Sequence, residues 1–515
     1  MDYIAKNGVV LLVMIVYVAF CLLIGQWFRK RAATGVGAFY VAKREIAGWV
    51  IALAFYSTFI STNTYVGQAG YSFKAGLSWA WVGVYWVVFC MISWLVMGKR
   101  MRIQTAKLKS LTIPDYFDYR YKSPLSKALR IFSAAVILFA TLWYMVGIAK
   151  GCAHLLQSTL GIPYAWGALL VIGVTAVYTI MGGMYSVLWT DALQGIIMFF
   201  VAILMVMVPF LYVGGIGPVM DSLVHTTHLT AAGKPMGDGL VTFCTLVSFA
   251  YITGIGLSVG MKQIAEPRCL IRFYSVDNAK SMKFAMIATP ILLGITLACV
   301  FGLGALCHGM ATDAESAYLI KHTDEVVGWM LTKFGSPWTT AIVMAGLFAA
   351  GMSSFAAVTI IVGTAFVGDI WHVLKPMTQQ KQVLWTKWFM VFYCVVVFLF
   401  TLRPIAGIVE LTAFAGAVFA ASFFPAVFGG LYLRWGTGKA AFGSMIIGIV
   451  SCVVWRFAFR FQYPSLKDVT EIIPAFIISV LAYVIISLLT KSDLPSKEHL
   501  DSVFHTPAAP AGKGA

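Results

Sequence analysis

Apolar runs of bilayer length recur along the whole chain, separated by short clusters of charged and turn-forming residues. They lie at 8–28, 48–71, 76–97, 129–158, 163–183, 188–213, 239–261, 284–308, 334–368, 384–402, 405–432, 439–459 and 472–490. A hydrocarbon core about 30 Å thick takes about 20 apolar residues in helical conformation to cross. The pattern therefore predicts an all-α polytopic membrane protein with thirteen transmembrane helices. The first run ends in Arg29-Lys30-Arg31 without a small-residue cleavage site, so it reads as a retained span rather than a signal peptide.

Two runs carry polar or glycine interruptions where a continuous helix prefers leucine. The second, "IALAFYSTFISTNTYVGQAGY", crowds Ser57, Thr58, Ser61, Thr62, Asn63, Thr64, Gly67, Gln68 and Gly70 together. The seventh, "LVSFAYITGIGLSVGMK", carries Gly254, Gly256 and Gly260. For one such span, close helix packing by small residues is a sufficient explanation. A matching pair five spans apart points instead to a transporter site, since unwound backbone inside a bilayer is tolerated only where it lines a cavity or binds something. In "LFAAGMSSFAAVTIIVG", Ser353 and Ser354 also have two readings. Their hydroxyls bond back to the preceding turn or to a neighbouring helix. Alternatively they join the Ala350 carbonyl and carbonyls freed in the broken 48–71 run to hold an alkali cation.

Composition agrees with the spans. Hydrophobic residues make up 60% of the chain and charged residues 11%, with a mean hydropathy of +0.86. The net charge of +17 would suit nucleic acid in a soluble protein. Here its placement matters more. With the N-terminus outside and the C-terminus inside, and with Arg130, Lys262, Lys387, Lys439 and Arg456 near the span ends counted with the adjoining segments, cytoplasmic segments hold 27 of the 37 lysines and arginines and outer segments nine, leaving Lys150 within a span. The nine cysteines show no metal or disulfide spacing and read as packing residues. No Walker A loop, GxSxG, HExxH or kinase signature promotes an enzyme. Residues 1–490 form one transmembrane domain, and 491–515 a cytoplasmic tail whose end, "PAAPAGKGA", has a composition that predicts disorder.

The run "GIPYAWGALLVIGVTAVYTIMGGMYS" at Gly161–Ser186 resembles the first signature of the sodium:solute symporter family. Gly161, Tyr164, Tyr178-Thr179, Gly182-Gly183, Met184 and Ser186 carry the likeness. The following "VLWTDALQ" is similar to the family's Trp-Thr-Asp-x-x-Gln, and "AEPRCLIRFYSV", with Pro267, Arg272 and Phe273, to its Pro-x-x-x-x-Arg-Phe segment. The late signature keeps Arg434, Ala440 and Gly443, with Lys439 where the family usually has glycine. The resemblance spans residues 8–490. It implies a LeuT-type core of two inverted five-helix repeats, 48–213 and 239–432, with broken first and sixth core helices. The spans 8–28, 439–459 and 472–490 are then peripheral, and the solute site lies at the bilayer midplane.

The resemblance also implies a sodium site: the carbonyls of Ser57, Ile60 and Ala350 with the hydroxyls of Ser353 and Ser354. Some members hold a second sodium with two further serines and the Asp of the Trp-Thr-Asp run. Here the serine positions are Ala356 and Ala357, which predicts one sodium per solute and leaves Asp191 either a coupling or a structural residue. Solute contacts implied by the family are Ser61, Thr64 and Gln68 on one side, Tyr251, Ser258 and Val259 on the other, and Phe414 closing the cavity. Sugar transporters of the family carry Gln and Glu where Thr64 and Gly83 stand, which argues against a hexose. Lys150 either snorkels to the outer interface or faces the cavity. Lys262 is either an interfacial positive-inside lysine or a cavity residue, and a cavity lysine favours a carboxylate or amino acid.

The expected function is sodium-coupled symport of a small organic solute in the plasma membrane, by a protein sufficient as a monomer in the lipid bilayer. Sugar or vitamin symport, proton-coupled transport and ion-independent transport on the same scaffold are the alternatives. A transport-inactive sensor would need a signalling domain larger than this tail.

Overall fold

The computed structural model describes residues 2–403 and 406–504, with side chains from residue 7 onward. The first residue of the 405–432 run and the low-complexity end of the tail lie outside the described residues. Throughout the described residues the regular elements are helices, joined by turns and two isolated bridges. Ten helices are long and apolar enough to cross a membrane. The second, sixth and seventh predicted runs are the ones not counted separately, each for a local reason.

The second run breaks where its polar cluster begins. Helix Gly48–Phe59 stops at Ile60, which is extended (φ −79°, ψ 127°), and the chain restarts through a wide turn at Asn63–Gln68 into helix Ala69–Ala75. The hydroxyls replace the missing ladder. Ser61 Oγ accepts from the Asn63 N–H at 3.2 Å, and Thr64 Oγ1 accepts from the Ser61 N–H at 3.3 Å. This is the competition with helical bonding that makes Ser and Thr capping residues.

The seventh run corrects the expectation of a glycine break. Helix Phe249–Gly260, capped by Ser248, passes through Gly254 and Gly256 without interruption, and residues 241–248 form turns instead of a helix. The break comes later. Met261–Ile264 tightens into a 3-10 turn, Glu266 is extended (φ −74°, ψ 130°), and helix Pro267–Ser275 follows. Pro267 causes it, because its ring excludes the helical conformation for the residue before it. The glycines serve packing: a Cβ at Gly260 would sit 2.8 Å from the Phe89 ring.

The fifth and sixth runs form the continuous assignment Tyr164–Val213, but Gly183 lies at φ 55°, ψ −148°. Only glycine adopts this backbone without strain. The side chains of Tyr178 and Gln194, on either side of it, meet. In one straight helix they would stand about 24 Å apart. The chain therefore doubles back at Gly183, and both limbs pack on the first helix, where Gln194 Nε2 donates to Tyr17 Oη at 2.6 Å.

Burial locates the centre. The most apolar window of Pro337–Leu374 is 100% buried and that of Ile408–Tyr432 89%, against 28% for Asn7–Ala32. The stretch 343–365, which bears Ser353 and Ser354, is thus enclosed by protein on all sides.

Candidate cation and solute site

Ser353 and Ser354 leave helix Pro337–Thr364 toward the break at Ile60. Ser353 Oγ donates to the Ser57 carbonyl at 3.0 Å and lies 3.2 Å from the Ala350 carbonyl. Ser354 Oγ donates to the carbonyls of Thr58 at 2.9 Å and Ile60 at 3.1 Å. All five residues assigned to the cation therefore take part, together with Thr58, in two hydroxyl–carbonyl groups carried by the adjacent residues Ser353 and Ser354. The two sequence readings coincide geometrically. These hydroxyls do join two helices, and they do so at carbonyls which the broken ladder leaves free. Six oxygens, none carrying formal charge, form a hard donor set of the kind alkali and alkaline-earth cations prefer.

A buried ionic group surrounds this point. Asp191 Oδ2 receives Arg272 Nη2 at 2.7 Å and the Thr58 hydroxyl at 2.9 Å, and Arg272 Nη2 also reaches Thr58 Oγ1 at 2.6 Å. Asp191 and Arg272 are wholly buried. That contact gives Asp191 a structural partner. Beside it, Arg268 Nη1 donates to the Thr58 carbonyl at 2.6 Å, and its Nε lies 2.7 Å from Glu266 Oε2. Lys262 is not at an aqueous interface. It is 1% exposed, 3.7 Å from Glu266 Oε2 and 3.9 Å from the centre of the Tyr144 ring. The Tyr144 hydroxyl lies beside those of Ser61 and Ser354.

Tyr144, Glu266 and Arg268 were not singled out from the sequence, and Thr58 was noted only as part of the polar cluster. A signal for Tyr144 exists in Gly147 and Gly151, which continue its helix face. A Cβ at Gly151 would crowd Thr62 at 2.9 Å, so this face carries the helix against the break.

The remaining solute candidates separate. Ser61 and Lys262 join the Tyr144 group. Thr64 Oγ1 is engaged by the Ser61 N–H at the break. Gln68 accepts from Trp79 Nε1 at 2.9 Å and Ser258 donates back to the Gly254 carbonyl at 2.8 Å. Val259 is buried with its backbone against Gly416, while Phe414 packs under the Arg456 guanidinium and against Phe139. Lys150 neither snorkels free nor reaches the Tyr144 group: its Nζ pairs with Asp324 at 2.7 Å.

Tyr251 belongs to a vestibule of about 770 Å³ lined by Tyr71, Lys74, Ser248, Glu410 and Arg460. Its hydroxyl donates to Glu410 at 2.8 Å, and Glu410 also faces Arg456 and Arg460, both at 3.3 Å. Glu471 holds the same two arginines at 2.8 and 3.1 Å. Glu410→Gln is therefore expected to leave the fold intact while loosening helix Phe249–Gly260 from helix Ile408–Tyr432 at the vestibule floor. Solute turnover should fall severalfold at an unchanged amount of protein. Unchanged turnover would mean that the Tyr251 bond takes no part in closure.

The description of the sodium:solute symporter family matches residues 39–448. The chain belongs to that family. It is 28% identical over 508 residues to the sodium/proline symporter of Salmonella typhimurium, covering 97% of each chain. It is 27% identical over 497 residues to the osmoregulated proline transporter of Bacillus subtilis, covering 95% of this chain and 96% of that one. Among solved structures, a substrate-bound outward-open Na+-coupled sialic acid symporter superposes with a TM-score of 0.76 at 17% identity, over 93% of this chain and 97% of that one. A nucleobase-cation-symport-1 transporter in a closed conformation gives 0.52 at 14% identity, over 90% and 97%. These structures share the fold. As a member of the family the chain is a multi-pass membrane transporter, and Na+ is its coupling ion.

Proposed function

We propose that the protein couples the downhill movement of one sodium ion to uptake of a small organic solute, a carboxylate or amino acid, by alternating access. The observation that carries the ion assignment is the convergence of the Ser353 and Ser354 hydroxyls with the carbonyls of Ser57, Thr58, Ile60 and Ala350 at the helix break. A single ion follows from Ala356 and Ala357, which bring no oxygen, and from Asp191, which Arg272 already engages. The proline solutes named for the relatives support an amino acid, and Lys262 supports a carboxylate. Thirteen crossings result if the two limbs around Gly183 and the two broken runs each count as spans. Two inverted repeats, an outer N-terminus and a cytoplasmic C-terminus complete the arrangement, in the plasma membrane.

Ser353→Ala and Ser354→Ala are each expected to raise the sodium concentration for half-maximal uptake severalfold, with normal amounts of protein at the membrane. Unchanged sodium dependence in both variants would remove the ion from this point. Uptake that ignores a sodium gradient at fixed pH would transfer the reading to proton-coupled or ion-independent transport.

A further inference from the structure

We infer that a groove of tryptophans and lysines, beyond the C-terminal end of the helix bearing Ser353 and Ser354, holds the headgroup of an anionic phospholipid, whose acyl chains lie along helix Gln379–Thr401. The site is independent of the solute carried, and the proposed topology sets it at the cytoplasmic leaflet.

The groove is built by two helix ends. Helix Pro337–Thr364 continues through a wide turn at Ala365–Trp371 and stops at Leu374. Lys375 is extended (φ −137°, ψ 96°), and the chain restarts as helix Gln379–Thr401, capped by the Thr378 hydroxyl. His372 Nδ1 accepts from the Met377 N–H at 3.1 Å, which holds the connecting turn in place. Between the ends lies a cavity of about 570 Å³ lined by Trp371, Lys375, Met377, Thr378, Lys381 and Trp385. The Trp371 and Trp385 rings pack together with centres 5.0 Å apart, and both lysines are exposed.

Charge is the first argument. Lys375 and Lys381 supply two positive charges, and no aspartate or glutamate is among the described residues that line the cavity. Asp369, just before it in the chain, is wholly buried and turned onto Arg130 at 2.9 Å. Arg29, in the last turn of the first helix, lies near enough to act on the charge of Lys387, which extends the positive field. Lys381 stands in the first turn of its helix, where the helix dipole disfavours a cation. Helix stability does not account for that lysine, whereas an anion seated beside it does. A phosphodiester is such an anion, and it only accepts hydrogen bonds. An ethanolamine or choline cation would meet two lysines and no carboxylate. Basic pockets between helix ends at the cytoplasmic side bind anionic headgroups for these reasons.

Periodicity is the second argument, and it separates a lipid from a soluble anion. Four, seven, eleven, fourteen and eighteen positions after Lys381 stand Trp385, Trp388, Phe392, Val395 and Leu399, all exposed. Such intervals keep to one face of a helix. The face therefore runs from a charged end past two tryptophans onto an apolar track, over about 27 Å in all. Tryptophan prefers the boundary between headgroups and hydrocarbon, which sets the lysines at the depth of the phosphates. Charge, amphipathic ring and hydrocarbon follow one another as they do in a phospholipid.

The test is native mass spectrometry of the full-length purified protein in detergent, titrated with dioleoyl phosphatidylglycerol, phosphatidylethanolamine or phosphatidylcholine. Phosphatidylglycerol should bind at least about tenfold more tightly than either zwitterionic lipid, an advantage within what two lysines supply at a lipid surface. Lys375→Gln with Lys381→Gln should lower it to the phosphatidylcholine level, and Lys375→Arg with Lys381→Arg should preserve it. Lys280→Gln with Lys283→Gln removes two exposed lysines from the start of helix Ala279–Val300 and should change nothing. Equal binding of the three lipids would overturn the inference. So would equal losses in the two glutamine pairs, which would mean a general attraction to basic surface. Displacement of phosphatidylglycerol by an excess of glycerol 3-phosphate would overturn it as well, because the groove would then take a soluble anion.

Discussion

Arg272→Leu should all but eliminate folded protein. Arg272 and Asp191 are both fully buried, and their 2.7 Å contact is shared with the Thr58 hydroxyl. Removing one member of such a pair strands the other charge, at a cost of about 3–5 kcal/mol. That is a large fraction of a typical folding free energy of about 5–15 kcal/mol. Asp191→Leu should be comparably damaging, because it strands Arg272 beside Arg268 and Lys262. The double variant Asp191→Leu, Arg272→Leu should recover much of the loss, since no isolated charge remains. Melting midpoints of the four proteins form a double-mutant cycle. Additive losses would mean that the two residues are not coupled, and Asp191 would again be open to a role with an ion.

Gly70→Ala is the second large effect expected. After the break, helix Ala69–Ala75 is packed backbone against backbone. A Cβ at Gly70 would overlap the carbonyl oxygen of Thr323, and one at Gly304 would meet the Phe73 amide nitrogen at 2.6 Å. No rotamer change relieves a clash with main chain, so the segment around Thr323 must lift. That segment carries Asp324, the partner of Lys150. Overpacking of this kind costs about 1–3 kcal/mol, and uptake should fall at least about tenfold, tenfold corresponding to about 1.4 kcal/mol. Limited proteolysis should cut near Thr323 faster than in the parent protein. Gly173→Ala, whose Cβ would meet nothing within 4 Å, is the matched control. Equal behaviour of the two variants would show that the contact at Thr323 yields freely.

The fold was legible wherever one residue pattern had one physical outcome. Apolar runs gave the long helices. The hydroxyl cluster at Ser57–Thr64 marked a real break, and the motif around Ser353 located its partners. The second break was misplaced because glycines serve both unwinding and close packing. At Gly256 and Gly260 the Tyr85 and Phe89 rings decide for packing, and the deciding residue, Pro267, stood just beyond the run. The charged segment from Lys262 to Arg272 concealed its own burial more thoroughly. Counted by charge it reads as a cytoplasmic loop, yet Arg268 and Arg272 are buried. Only their three-dimensional partners, Glu266 and Asp191, make that burial tolerable. Gln68 and Phe414 show the same limit: side chains suited to bind a solute are engaged by Trp79 and Arg456.

The oxygens at the helix break come from two separate bodies. Ala350, Ser353 and Ser354 ride on a rod with no lipid-facing side, while Ser57, Thr58 and Ile60 belong to the frayed end of another. A slip of about 1 Å between them would carry every serine contact across the seam, now 2.9–3.1 Å, past hydrogen-bond range. The seam therefore works as a position gauge. On the proposed sodium assignment, an ion seated there would report that the two bodies are in register, and one that left would let them part. A site without a single formal charge would then govern when a much larger machine changes shape.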